Sequence, residues 1–368
     1  MVVSHLAAEF RQDEMVIVAE REPQRPANNW PARNPRIHYL SPNLSIGGKG
    51  KRYLRWLLLN QELNQLSQLI EKEKITAILG VFPDDFYLYL AYRLSQRHQL
   101  PFYSWFHNTY VDNYTGLRKY LAKWLQPRFW RLAKENFVIS EGMRAYYREE
   151  YPEFRFSVLS HGFPLEIPAY KKLPESQGRR KFLFTGSLNQ SCADAALRLM
   201  KVILEQADYE LHAYSGSPLA KFTRSGITGP NFFYHGFVSD EEFYAAVSRF
   251  DVLLLPHGFQ GERSAVEFQT IFPTRTIPLL VSNRPILAHS PPGVYLTKFL
   301  RQNDCALVVD QPEKEGLQSA IERLFNEPGL SERLVRNALA TAQNFSVRNV
   351  AQQLRKSVGL TTQPKDAG

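Results

Sequence analysis

The sequence predicts an α/β protein with two doubly wound parallel sheets, one in each half of the chain. Short apolar segments alternate with segments of helical periodicity, and this alternation occurs twice. The length of 368 residues is too great for a single hydrophobic core. Residues 169–180 are polar and charged, with Pro168 and Pro174 beside and within them, as expected of an interdomain linker.

The first half, residues 1–167, begins with a helix rather than a strand. Apolar side chains in residues 1–10 lie near helical spacing, and residues 15–19 form the first strand. Residues 46–52 are rich in glycine and lysine but lack the Walker spacing, so a flexible basic turn is a better interpretation than a phosphate loop. The other predicted strands here are 36–40, 75–81, 101–106, 137–140 and 156–159, and the other helices are 51–71, 84–97, 116–134 and 141–150.

The second half, residues 168–345, repeats the alternation. Each apolar run is short enough to be a strand that is buried on both faces of a parallel sheet. The predicted strands are 181–185, 209–214, 232–234, 251–255, 285–288 and 306–309, and the helices are 192–206, 240–249, 273–281, 296–301 and three more that end near residue 358.

Residues 251–290 are the most informative part of this half. They predict a strand, a loop over 257–271, a helix with Pro273 as its first residue, and another strand. A helix that starts at the carboxyl edge of a parallel sheet presents free N–H groups there, and Thr274, Arg275 and Thr276 add hydroxyls and a cation. The stretch therefore predicts a phosphate or diphosphate site. The alternative is that Arg275 is an ordinary surface residue.

His107 follows the strand 101–106 directly. A side chain just past the carboxyl end of a parallel strand faces the crevice where ligands bind. A catalytic and a purely structural role both remain open for this histidine.

The composition of the chain limits the classes of binding partner that we expect. Lysine and arginine number 45 against 36 acidic residues, so the chain carries +9 and favours anionic partners. No nucleic-acid motif is present, which ranks nucleic acid last. No apolar run has membrane-spanning length and no signal peptide is recognisable, so a reducing cytoplasm is expected. Cys192 and Cys305 lack metal-ligand spacing, and Cys305 suits a core position.

The basic helix at 116–134 has two interpretations. Trp124, Phe129 and Trp130 lie among six lysines and arginines, a composition that could rest on the inner face of an anionic membrane. A solvated basic face with a buried aromatic stripe is the commoner arrangement and the one we expect.

Several motifs, taken in order, resemble the GT-B glycosyltransferases, in particular the retaining enzymes of family four. The resemblance is stronger over residues 181–360 than in the first half. Its motifs are FLFTGSL at 182–188, FYHGFVSDEEF at 233–243, DVLLLP at 251–256, FPTRTIPLLVSNRPILAH at 272–289 and NALATAQNFS at 337–346, with WFHN at 105–108, FVISEGM at 137–143 and VLSHGFP at 158–164 in the first half.

This resemblance implies two Rossmann-like domains that face a cleft, with a final segment, 346–368, that crosses back to the first domain. It implies a nucleoside-diphosphate sugar as the donor, on the second domain, and no cofactor or metal. The acceptor, a saccharide, lipid or small molecule, would lie on the first domain, with His107 facing the transferred sugar. The residues implied for donor binding are Gly186 and Ser187 at the diphosphate or sugar, Phe237 and Val238 at the base, and Thr274, Arg275 and Thr276 at the diphosphate.

The sequence departs from the family pattern in the donor region. Pro278 occupies the place of the usual glutamate, and Thr270 lies near the place of its partner glutamate, for which Glu262 or Glu267 are the candidate substitutes. The loop after Gly186 lacks the usual arginine and lysine. Two alternatives therefore stay open: a non-catalytic relative that binds nucleotide sugar or glycan, and a GT-B epimerase acting on the nucleotide sugar.

The start of the chain also departs from the pattern. A doubly wound domain begins with a central strand, followed in this family by a glycine-rich loop, whereas this sequence begins with a helix. We therefore expect an N-terminal domain without its first strand, and a natural reading frame that starts further upstream. The extended protein would then be more stable and more active than the 368-residue chain.

Overall fold

A computed structural model describes residues 2–20, 36–40, 54–164, 166–174, 178–259 and 265–360. The predicted basic turn at 46–52 and Glu262 lie outside these ranges. The chain forms two compact units. Unit 1 comprises Met1–Leu165 and Phe345–Gly368, and unit 2 comprises Glu166–Asn344.

Unit 1 is built on parallel strands, and helices connect the successive strands from residue 36 onward. A two-stranded sheet pairs β1 with β2, and a four-stranded sheet has the order β3-β4-β5-β6. Within the described residues, β1 pairs only with β2 and β3 only with β4, so these are two separate sheets. Its elements are α1 (Val2–Ala7), β1 (Val16–Ala19), β2 (Arg36–Tyr39), α2 (Leu59–Glu73), β3 (Ile78–Phe82), α3 (Asp85–His98), β4 (Phe102–Phe106), α4 (Gly116–Leu132), β5 (Ala133–Val138), α5 (Glu141–Glu150), β6 (Ser157–Val158) and α14 (Val347–Val358).

The core of unit 1 lies around β4, which is buried along its whole length. Aromatic side chains fill it, among them Trp105, Trp130 and Tyr147. The helix before β5 ends two residues earlier than the sequence predicts, because Ala133 is already extended and pairs with Phe102 of β4.

The last helix, α14, completes this core. Val350, Ala351 and Leu354 belong to the same apolar cluster, and the Tyr103 hydroxyl donates to the carbonyl of Ser357 at 3.1 Å. The returning chain passes so close to Gly162 that a Cβ there would lie 2.8 Å from Val347 Cα. Gly162 therefore permits a backbone contact that no side chain would allow.

Unit 2 contains one six-stranded parallel sheet of order β12-β11-β10-β7-β8-β9. The strand order reverses between β7 and β10, so the carboxyl ends of these two strands flank the topological switch point. Its elements are β7 (Arg180–Thr185), α6 (Ala193–Leu204), β8 (Tyr209–Tyr214), α7 (Leu219–Arg224), β9 (Phe232–Gly236), α8 (Asp240–Ala246), β10 (Val252–Pro256), α9 (Ala265–Thr270), α10 (Thr276–Leu280), β11 (Ile286–His289), α11 (Tyr295–Gln302), β12 (Leu307–Val309), α12 (Lys314–Asn326) and α13 (Leu330–Ala342).

Two details of residues 251–290 differ from the sequence prediction. The predicted loop at 257–271 contains the helix α9, and the next helix, α10, starts at Thr276 instead of Pro273. Residues 273–276 form a turn in which the Thr276 N–H donates to the carbonyl of Pro273 at 2.9 Å. This turn uses the segment that was expected to be the first turn of the helix.

Candidate functional site

Three loops meet at the carboxyl edge of the unit 2 sheet, beside its switch point. The Gly186 N–H donates to the Tyr214 carbonyl at 2.9 Å, and the Ser215 N–H donates to the Gly236 carbonyl at 2.7 Å. These bonds hold the ends of β7, β8 and β9 next to one another. The loop after β7 is also bonded to the loop after β8, because the Leu188 N–H donates to Ser217 Oγ at 3.0 Å.

Gly186 is required in this arrangement for two reasons. Its φ of +96° lies in a region that side chains disfavour. A Cβ at this position would also lie only 3.1 Å from the Arg275 Cζ atom. The absence of a side chain therefore lets the guanidinium approach the loop backbone.

Arg275 is bound to the underside of this loop. Its Nη1 donates to the Thr185 carbonyl at 3.1 Å, and its Nη2 donates to the Ser187 carbonyl at 3.2 Å. The same Nη2 lies 3.8 Å from the buried thiol of Cys192. The sequence predicts a cation at a helix start, whereas the structure fixes that cation against the end of β7. Because a guanidinium has five N–H donors, donors remain for a ligand.

Phe237 and Ser187 both lie close to Gly216. A Cβ on Gly216 would lie 3.9 Å from Phe237 Cδ2 and 3.9 Å from Ser187 Oγ. The Phe237 side chain is 79% exposed, so its ring offers an open face for stacking. Val238 beside it is half-buried. Sequence reasoning did not select Gly216, although a Ser-Gly-Ser segment directly after a strand indicates close approach of the backbone.

The two threonines beside Arg275 have different surroundings. Thr274 is exposed, whereas the Thr276 side chain is fully buried and its Oγ1 has no hydrogen-bond partner among the described residues. The structure thus places Arg275 with Gly186, Ser187 and Phe237, but points the Thr276 hydroxyl into the unit. The Thr276 N–H is bonded within the turn as well. Thr276 therefore presents neither its hydroxyl nor its N–H at the surface.

The residues at the family's two glutamate positions, Pro278 and Thr270, lie within short helices. Pro278 lies inside the first turn of α10, where the missing N–H costs no helical hydrogen bond. The Thr270 hydroxyl donates to the Val266 carbonyl at 2.9 Å, within its own helix. Glu267, the candidate substitute among the described residues, is buried and presents no exposed carboxylate.

A partly buried polar network lies beside the switch point and includes the fully buried His289. Arg198 Nε donates to His289 Nε2 at 3.0 Å, so the other ring nitrogen carries the proton and donates to the Val309 carbonyl at 3.0 Å. Asp194 accepts from Arg198 Nη2 and, at 2.8 Å, from the Phe259 N–H after β10. Sequence reasoning missed these residues because only the fold brings them together.

Two histidines, His161 buried and His107 partly buried, lie at the carboxyl edge of the unit 1 sheet. His107 follows β4 and His161 follows β6, and their ring centroids lie 4.9 Å apart. The Trp105 ring lies 4.3 Å from that of His107. Each histidine has a buried Nε2 atom without a hydrogen-bond partner among the described residues. Two unsatisfied imidazole nitrogens at a strand edge indicate a place for a polar ligand.

Burial keeps both imidazoles neutral near pH 7. It lowers the pKa of His161 to about 4. The pKa of His107 lies well below its usual range, because burial and the neighbouring His161 both disfavour the charged form. The sequence indicated His107. His161 was not selected, although it too follows a predicted strand, 156–159, and the same argument from the strand end could have found it.

Residues 1–167 match the model of a known family, Glycosyltransferase Family 4. A sucrose-phosphate synthase from Thermosynechococcus elongatus superposes with a TM-score of 0.70 at 13% identity, over 96% of this chain and 90% of that one. The chain has the GT-B fold and resembles the family-four glycosyltransferases. The family model matches the half of the GT-B chain in which the motifs were weaker.

Other solved structures share this GT-B fold. HepE of Anabaena, in complex with UDP and glucose, has a TM-score of 0.68 at 13% identity over 98% of this chain and 95% of its own. A glycosyltransferase from Rickettsia africae has a TM-score of 0.63 at 14% identity, over 90% and 86% respectively. No curated protein matches the sequence.

No helix in the described ranges has both the length and the apolar character needed to cross a membrane. Nor do the described histidines, cysteines and carboxylates form a group of three or more that could hold a metal ion.

Proposed function

We propose that this chain is a glycosyltransferase that moves a sugar from a nucleoside-diphosphate sugar to a saccharide, lipid or small-molecule acceptor. The observation that carries the proposal is Arg275, held against the Gly186 loop at the switch point of unit 2. The family match of residues 1–167 supports the reaction class. HepE, whose structure holds UDP and glucose, supports the donor class.

The chemistry of sugar transfer suits these residues. When the anomeric C–O bond breaks, negative charge builds on the diphosphate, and fixed donors stabilise that charge best when they are already in place. Arg275 is held in place by two carbonyl groups and keeps spare N–H donors. Ser187 and Thr274 add exposed hydroxyls, while Gly186 lets the backbone approach the phosphates. The exposed ring of Phe237, next to Val238, suits stacking against the base.

We assign the transferred sugar to His107 and further propose a retaining, metal-independent mechanism. A neutral imidazole can accept or donate a hydrogen bond to a sugar hydroxyl, and the buried Nε2 of His107 has no partner within the described part of the protein. Retention is tested by the anomeric configuration of the product in NMR spectra. Metal independence is tested by turnover in excess chelator. A cytoplasmic location, where nucleotide sugars are available, completes the proposal.

A direct experiment is incubation with a panel of UDP- and GDP-sugars and candidate acceptors. Released nucleoside diphosphate that requires an acceptor supports transfer. An altered sugar on an intact nucleotide would instead establish an epimerase. Nucleotide binding without any turnover across the panel would favour the non-catalytic alternative, for which Pro278 and the buried Glu267 are the structural arguments.

A further inference from the structure

The outward face of α4 carries an apolar stripe. Leu117, Tyr120, Leu121 and Trp124 follow the spacing i, i+3, i+4, i+7, which places them on one side of a helix. Their side chains are 88%, 71%, 52% and 54% exposed. With Leu132, this helix holds five of the ten large hydrophobic residues that are exposed in the described structure. We call these four residues the α4 stripe.

The opposite face of α4 is anchored in the core of unit 1. Ala122, Leu125, Phe129 and Trp130 are buried there. Our expectation of a buried aromatic stripe therefore holds for Phe129 and Trp130 and is wrong for Trp124, which points outward. Because the inner face is fixed, the α4 stripe cannot turn inward without unfolding the helix from unit 1.

Basic residues surround the α4 stripe. The helix has five lysines and arginines and no acidic residue. Arg118 is bound to Asp85 at 2.6 Å. Lys123 and Arg131 are exposed, and the Arg128 guanidinium lies 3.6 Å from the centre of the Trp124 ring. An exposed tryptophan and leucines bordered by cations are the composition of helices that lie in the interface of an anionic bilayer.

The charge selects a lipid surface over a second copy of this chain. Two α4 stripes placed face to face would bring Lys123, Arg128 and Arg131 of both helices together, six like charges in all. The centres of protein–protein interfaces are depleted of charged residues. An anionic membrane instead attracts every cation and accepts the apolar side chains at the depth of its headgroups. At 17 residues, α4 has a length suited to lying along the surface.

We propose that α4 binds unit 1 to anionic phospholipid membranes, with the α4 stripe inserted at the headgroup level and Lys123, Arg128 and Arg131 facing the lipid phosphates. This surface is independent of the residues assigned to sugar transfer. Its test therefore does not depend on the glycosyltransferase proposal.

The test is flotation of the full chain with vesicles of phosphatidylcholine, with and without 30 mol% phosphatidylglycerol (about one anionic lipid in three, a composition that gives the surface potential on which such helices depend). We expect binding to the anionic vesicles only, weakened by salt. The double variant Leu117→Glu/Leu121→Glu should lose at least tenfold in the bound fraction. Leu57→Glu is the matched control, since Leu57 is an 80% exposed leucine elsewhere in unit 1.

A second pair of variants tests the charges. Lys123→Gln/Arg131→Gln should weaken vesicle binding by roughly thirtyfold, because each of the two cations contributes about 1 kcal/mol near an anionic surface. Lys221→Gln/Arg224→Gln, which removes two exposed cations from α7 of unit 2, should bind like the parent chain. Circular dichroism melts confirm that each variant is folded.

Three outcomes would overturn the proposal. The first is that the parent chain does not float with anionic vesicles, or floats equally with neutral ones. The second is that the α4 variants bind vesicles like the controls. The third is that sedimentation velocity reveals a dimer that Leu117→Glu/Leu121→Glu dissociates while no vesicle binding occurs, in which case the α4 stripe is an interface between copies of the chain.

Discussion

Among single residues, Arg275 has the most specific surroundings in unit 2. Two backbone carbonyls hold its guanidinium, and Gly186 leaves the space for it. We expect Arg275→Ala to weaken nucleoside-diphosphate binding by about 1.5–3 kcal/mol, the range for a hydrogen bond to a charged group. Titration calorimetry checks this, with Arg224→Ala, an exposed arginine of the same unit, as the control. Equal affinity in the two variants would contradict the assignment.

Gly186 gives a second residue-level prediction. Gly186→Ala should destabilise the protein and reduce diphosphate binding, since the new Cβ would press on the Arg275 guanidinium at 3.1 Å. Gly226→Ala is the matched control, because its φ is also positive, at +80°, but no atom lies within 4 Å of the new Cβ. Both variants share the backbone strain, so only the difference between their affinities reports the contact with Arg275.

His107→Ala should slow sugar transfer more than it weakens nucleotide binding, because His107 lies in unit 1 and is assigned to the sugar. Steady-state kinetics at saturating donor measures the change in kcat, and His98→Ala in the same unit serves as the control. If His107→Ala lowers affinity for the nucleotide and leaves kcat intact, the role given to His107 is wrong.

Secondary-structure elements could be predicted where they are long and strongly patterned. The strand at β10 and the helix before β8 follow from uninterrupted apolar runs and from helical periodicity. α10 could not be delimited, because five residues with a proline inside contain too little periodicity to locate its start. Likewise, the pattern of α4 shows two sets of apolar residues but cannot tell which set the core takes up.

The return of α14 to unit 1 gives a prediction for an element contact. Gly162→Ala should lower the free energy of unfolding by roughly 1–3 kcal/mol, the usual cost of overpacking, since its Cβ would lie 2.8 Å from Val347 Cα. Gly216→Ala, whose Cβ would meet nothing closer than 3.9 Å, is the control. Urea unfolding with equal m-values for the two variants makes the comparison valid. A loss confined to Gly216→Ala would contradict the described contact.

For the whole molecule, the α/β fold with two Rossmann-like units was predictable and is confirmed by the GT-B structures. The alternation of strands and helices could be predicted because it depends on local sequence and is the same for every possible strand order. The order β12-β11-β10-β7-β8-β9 is not local, because it depends on which long connections pack on which face.

Stability should depend on pH through buried histidines in both units. Burial lowers the pKa of His161 in unit 1 and of His257 in unit 2 to about 4. Because these values lie below that of an unfolded histidine, the unfolded chain binds more protons as pH falls below about 6.5. The folded state is therefore favoured fully above that pH and loses this advantage on acidification.

For each of these histidines, we expect the free energy of unfolding to fall by about 2 kcal/mol when the pH is lowered from 8 to 5. Urea unfolding over this range measures the slope. His161→Gln and His257→Gln should each flatten it. An unchanged slope in both variants would exclude this origin of the acid sensitivity.

The place of α14 in unit 1 has a consequence for synthesis on the ribosome. Residues 166–344 are made before α14, so unit 2 can fold while unit 1 still lacks Val350, Ala351 and Leu354 from its core. Unit 1 therefore begins to be made first but cannot complete its core until unit 2 has been made. Until α14 has been made and has left the ribosome, the apolar surface that it covers is exposed to water and to chaperones, and a ribosome that stalls near residue 344 leaves unit 1 without this helix.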